Sequence, residues 1–97
     1  MIKKIYISGK ITGDPNYREK FAKAEEEVKA KGYMVMNPAI LPEGFSWVDY
    51  MEISFAMMKA CDAIYLLEDW EDSAGACLER QKARDDGLTI FYQKVPK

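Results

Sequence analysis

The sequence predicts an α/β fold: about four parallel strands in the order 2-1-3-4, with helices on both faces in three layers. Three observations carry this. Short apolar, β-rich runs alternate with segments whose apolar residues recur at helical spacing. The helical segments open at capping residues and close at glycines. The connections are short, as right-handed crossovers between parallel strands allow. The 97 residues are expected to form one domain, 1–97.

"IKKIYIS" (Ile2–Ser8) is the first strand, followed by a turn, "GKITGD", with glycines at Gly9 and Gly13. Asp14-Pro15 reads as an N-cap with proline at the first helical position. Tyr17, Phe21, Ala24 and Val28 then share a helical face until Gly32. "YMVM" (Tyr33–Met36) is a short second strand closed by Asn37-Pro38, and a loop leads to Ser46, which is spaced from Asp49 as in a capping box. A helix from Trp47 to about Ala60 follows. "AIYLL" (Ala63–Leu67) is a continuous apolar run, as expected of a strand buried on both faces. Ser73 caps the third helix, Gly87 ends it, and "LTIFY" (Leu88–Tyr92) is the last strand.

Composition narrows the function. A net charge of −2 with interspersed signs gives no footprint for a nucleic acid polymer or an anionic membrane. No apolar run approaches the ~20 residues of a membrane span, and "MIKKIYISG" lacks the apolar stretch of a signal peptide. Cys61 and Cys77 fit neither a disulfide framework nor a metal spacing, so a reduced, cytoplasmic setting is expected. The chain has no histidine, which excludes histidine triads and imidazole acid–base chemistry.

Ligands of such sheets bind beyond the carboxyl ends of the strands, near the point where strand order reverses. Ser8–Gly13, Asn37–Gly44 and Glu68–Gly75 lie at that edge. Within "WEDSAGACLERQKARDDG", Glu79 interrupts a face of small residues, with Gly75 at i−4 and Ala76 at i−3. Taken alone, each feature has an ordinary structural explanation: a solvated glutamate, a capping serine, turn glycines, a core tyrosine. A carboxylate beside a bulk-free patch at the ligand edge nevertheless suits something that must approach closely.

"IYISGKITG", "CDAIYLL" and "SAGACLE", in that order over nearly the whole chain, resemble the nucleoside 2-deoxyribosyltransferase superfamily. The nearest likeness is to its short bacterial and phage members of unknown function (DUF4406-like). The resemblance implies a flavodoxin- or Rossmann-like sheet and a small nucleoside or nucleotide as partner. It also implies a glutamate nucleophile that attacks the anomeric carbon and releases the base, the sugar passing to another base or to water. Glu79 matches the nucleophile through S-x-G-x-x-x-E, and Tyr6 the tyrosine that positions it. The Gly9–Gly13 loop matches the sugar or phosphate loop, so Ser8, Gly9, Lys10, Ile11 and Gly13 are expected to bind the substrate. Ser73 matches a serine near the 5′-phosphate; Asn37 and Gly75 complete the expected lining. No metal or cofactor is expected.

One departure bears on chemistry. Active relatives carry an aspartate, which contacts or protonates the departing base, eight residues before the position of Asp62. Here that position is Ser54. Lys10 and Thr12 also stand where nucleotide hydrolases tend to have serine and arginine. Two classes of function follow. One is a hydrolase or transferase acting on a 2-deoxynucleoside or its 5′-monophosphate, favoured by Glu79 with Tyr6. The other is a nucleotide-binding or interaction module without turnover, favoured by Ser54. The helix from Trp47 to Ala60 is apolar nearly all round, which predicts a homodimer or higher homo-oligomer through residues 47–60.

Overall fold

The structure is a computed structural model and describes residues 1–94. Its strands are β1 (Lys4–Ser8), β2 (Met34–Met36), β3 (Ala63–Leu66) and β4 (Thr89–Tyr92); its helices are α1 (Tyr17–Ala30), α2 (Trp47–Lys59) and α3 (Ala74–Asp85). The four strands form one sheet in the order β2-β1-β3-β4, every pairing parallel. This is the predicted topology.

Alternation along β1 divides the core into two layers. Ile5 and Ile7 point to the α1 side, where Ile7 packs with Phe21 and Ala24, and Ile5 with Val28. Tyr6 points to the opposite side, among Met58 of α2 and Ala83 of α3. Ile5 through Ser8 are all buried, so β1 is covered on both faces. Burying a side chain such as Phe21 contributes roughly 1.5–3 kcal/mol.

β1 runs through α1 to β2 on one side, whereas β3 runs through α3 to β4 on the other. The loops after β1 and β3 therefore diverge at the carboxyl edge and leave a crevice between them.

Local chemistry shifts several predicted boundaries. β1 begins at Lys4 rather than Ile2, because the Lys3 and Lys4 amides donate to the Asp62 carboxylate, at 2.9 and 3.0 Å. Asp14 is not the N-cap of α1. Its Oδ1 accepts from the Asn16 amide and its Oδ2 pairs with Lys20, so Pro15 falls in a turn and the helix starts at Tyr17. β3 ends one residue early: the Leu67 amide still donates to Ser8, but the Trp70 amide folds back onto the Leu67 carbonyl. Ser46 and Asp49 do form a reciprocal capping box, an arrangement contributing about 1 kcal/mol. Gly32 and Gly87 have φ of 95° and 73°, the left-handed conformation that closes α1 and α3. Two short 3-10 turns, Pro38–Ile40 and Trp70–Asp72, lie within segments expected to be irregular. Among the described residues, no helix is long and apolar enough to cross a membrane.

Candidate active site

The crevice opens into a cavity of about 870 Å3 at the carboxyl edge of β1. Tyr6 and Ser8 stand on the same side of β1, facing α3, and meet Glu79 there. The Tyr6 hydroxyl donates to Glu79 Oε2 at 2.9 Å, and Ser8 Oγ donates to Oε1 at 2.6 Å. Each carboxylate oxygen thus has its own hydroxyl donor. Glu79 is only 6% exposed, yet it borders the cavity.

This environment sets the proton balance. Burial pushes the Glu79 carboxyl above the ordinary carboxylate range, and hydrogen bonds from Ser8, Tyr6 and, to a smaller extent, Ser54 oppose that rise. Burial, then the neighbouring Glu79 charge, raises the Tyr6 phenol well above its usual value, so Tyr6 acts as a donor that keeps its proton. The resulting group is a carboxylate oriented by hydroxyls, shielded from bulk water and open on one side to a ligand.

The surrounding backbone explains the small residues. A Cβ on Gly75 would lie 3.4 Å from Met51 Sδ and 3.8 Å from Trp47 Nε1, so glycine keeps this wall of the cavity open. Ser73 caps α3, its Oγ accepting from the Ala76 amide at 3.1 Å, and also borders the cavity. Gly9 has a different reason: a Cβ there would meet Leu67 at 2.8 Å, so glycine lets the loop after β1 pack against the end of β3. Gly13, with φ of 84°, turns that loop. Lys20 holds it, its ammonium bonding Asp14 Oδ2 (2.5 Å), the Lys10 carbonyl (2.8 Å) and Asp69.

The family model described as "Domain of unknown function (DUF4406)" matches residues 3–92. The chain belongs to the DUF4406 family. A solved structure similar to this DUF4406 chain is the "2-desoxiribosyltransferase from Leishmania mexicana", with a TM-score of 0.73 and 23% sequence identity. The match covers 93% of this chain and 63% of that one, so the DUF4406 domain spans less than two thirds of the enzyme's length. At that identity the likeness shows a shared fold. No curated protein matches the sequence.

Of the residues expected to form the site, Tyr6, Ser8, Gly9, Ile11, Gly13, Ser73, Gly75 and Glu79 border this DUF4406 cavity. Two do not. The Asn37 side chain is engaged elsewhere: Oδ1 accepts from the Ala39 amide at 2.8 Å, and Nδ2 donates to Glu25 at 3.0 Å. It shapes the turn after β2 instead of facing Glu79. Lys10 is also outside the lining; its carbonyl is held by Lys20 and its amide donates to Asp69 at 3.1 Å.

Of the α2 wall, the sequence reading singled out Ser54 alone. Trp47, Met51 and Ser54 border the cavity from α2 at i, i+4 and i+7, a spacing that marks one helical face. That spacing was legible, but the apolar residues around the rest of α2 hid it. Tyr50 pins the preceding loop, its hydroxyl donating to the Pro42 carbonyl at 2.6 Å and accepting from the Phe45 amide at 3.1 Å.

Proposed function

We propose that this protein cleaves the N-glycosidic bond of a 2-deoxynucleoside, or of its 5′-monophosphate, through Glu79, acting as a hydrolase or a deoxyribosyltransferase. The observation that carries the reading is the buried Glu79 carboxylate at the edge of an open cavity, each oxygen hydrogen-bonded to a hydroxyl from β1. Breaking a C1′–N bond develops oxocarbenium character, which a nearby carboxylate stabilises and captures. A Glu79 oxygen bonds to C1′ as the C1′–N pair departs with the base; water or a second base then displaces the carboxylate from C1′. Tyr6 and Ser8 hold the carboxylate in one orientation and favour its ionised form, which an attacking group requires. The fold shared with a 2-desoxiribosyltransferase supports the same reading.

The test is incubation of the protein with a panel of 2-deoxynucleosides and their 5′-monophosphates, with and without an acceptor base, followed by chromatography of the products. Release of free base that disappears in Glu79→Gln supports the proposal. Binding of a panel member with no release at any enzyme concentration overturns it in favour of a binding module.

A further inference from the structure

The cavity that holds Glu79 has a one-sided charge. Its lining carries four carboxylates, Asp14, Glu43, Asp72 and Glu79, and among the described residues no lysine or arginine. Lys20 neutralises Asp14 and Asp69 from behind the loop. Glu43 and Asp72 are exposed, and among the described residues neither forms an ion pair. A phosphate at the start of α3 would meet backbone amides there, but it would also lie beside Asp72, next to the capping Ser73. With Asp14 neutralised by Lys20, the unpaired Glu43 and Asp72 and the buried Glu79 leave the lining net negative, which favours a cation over an anion.

A second observation concerns the leaving group. A nucleobase departs as a poor anion unless it is protonated. The groups closest to Glu79 are the hydroxyls of Tyr6, Ser8 and Ser54, with Ser54 also buried. None is an acid of useful strength, and the Tyr6 proton is held more tightly than in free tyrosine. The site is built for a base that leaves without taking a proton.

Resting on the N-glycosidic reading above, we propose that the substrate is a nucleoside with a free 5′-hydroxyl and a positively charged base, of the N-alkylated purine or pyridinium type. As Glu79 bonds to C1′, the C1′–N electron pair returns to the ring nitrogen system and cancels its positive charge, so the base departs neutral and no general acid is used. Water then bonds to C1′, the ester to Glu79 breaks, and one proton passes to solvent. Each turnover converts a cationic nucleoside and water into free sugar, neutral base and one proton.

Three matched compounds test this in mildly acidic, weakly buffered solution: 7-methyl-2′-deoxyguanosine, 2′-deoxyguanosine, and 7-methyl-2′-deoxyguanosine 5′-monophosphate. The full-length protein is used, spontaneous base loss is subtracted, and both released base and released protons are followed. The expected result is a kcat/KM for the methylated nucleoside at least ~100-fold above its neutral parent, the usual scale of a general acid's contribution. The 5′-phosphate should lower kcat/KM by roughly tenfold. Asp72→Asn combined with Glu43→Gln should narrow the gap between the cationic and neutral nucleosides. Equal rates for the two nucleosides, or preference for the monophosphate, overturns this inference and leaves the N-glycosidic reading standing. Cleavage of none of the three, with none in the broader panel, overturns both.

Discussion

The Tyr6 hydroxyl and the Glu79 carboxylate face each other at 2.9 Å inside the protein, donor to acceptor, with Ser8 completing the set at 2.6 Å. A buried carboxylate with two hydroxyl donors has a cost and a use. The cost is desolvation, which raises its pKa; the use, under the function proposed above, is a nucleophile fixed in one orientation.

Replacing Glu79 separates the two. Glu79→Gln should abolish base release while leaving the melting temperature unchanged or a few degrees higher, since ~1 kcal/mol corresponds to about 4–8 °C in a domain of this size. The sign follows from burial, because a neutral amide removes the desolvation of a charge. Calorimetric melting of both proteins at neutral pH checks it, and a large loss of stability would assign Glu79 a structural role.

The pH response should divide activity from stability. Glu79 must be ionised to attack, and its folded-state pKa is raised, so cleavage should fail on acidification before the ordinary carboxylate range is reached. The fold responds in the opposite sense to this group: a raised folded pKa means the native state binds the proton more tightly. Protonating Glu79 therefore stabilises the fold as pH falls through that range. Asp62 and Glu25 have lowered pKa values, from backbone amides and from Lys29 respectively. Their stabilisation is complete above the unfolded carboxylate pKa and is lost as pH falls through the depressed folded values. Parallel pH profiles of rate and melting should show activity disappearing first.

Tyr6→Phe removes one of the donors that hold Glu79 ionised. The acid limb of the cleavage profile should move to higher pH, with a loss of roughly tenfold or more at mildly acidic pH and a smaller loss near neutrality. A uniform loss at all pH values would show that the hydroxyl does something other than support the ionised carboxylate.

These assignments were unevenly legible in the sequence. Strand order and the parallel sheet could be read because strand–helix alternation and helical spacing place those elements without reference to distant contacts; the Glu79–Tyr6 pairing came from the family resemblance, strand alternation adding only that Tyr6 and Ser8 share a face. The N-cap of α1 could not: Asp14 has the right residue type, but Lys20 and the Asn16 amide compete for its carboxylate. Asn37 was misplaced because its amide is satisfied within its own turn and by Glu25. Of the α2 wall only Ser54 was legible; Trp47 and Met51 were hidden by surplus apolar residues at neighbouring positions.

That surplus carries its own prediction. Phe45, just before α2, and Trp47 and Val48 at its start are 55%, 49% and 59% exposed, while Met51 and Met58 of the helix are buried. A second copy of the chain is expected to cover this face. Light scattering at micromolar concentration should give at least twice the monomer mass, and Val48→Glu should shift the mass toward monomer. A monomer in the unmodified protein would rule the expectation out.

Gly9 offers a test of the scaffold. Gly9→Ala would drive a methyl group to 2.8 Å from Leu67, which is itself buried. Destabilisation of about 1–3 kcal/mol is expected from such overpacking, together with displacement of the loop after β1. Chemical denaturation measures the first effect. Leu67→Ala in the same chain should recover part of the loop geometry, at the price of a cavity.

Tyr6 and Glu79 are 73 positions apart in the chain. At synthesis rates of about 5–20 residues per second, roughly 4–15 s separate their appearance during translation. Throughout that interval the growing chain holds Tyr6 and Ser8 with no carboxylate to meet, and β1 lacks the α3 cover of one face. Docking of α3 creates the hydroxyl–carboxylate pair and closes that layer of the core in the same event. Under the proposed function, base release during translation should therefore appear abruptly rather than in proportion to chain length, which would make it a clock for the docking of α3.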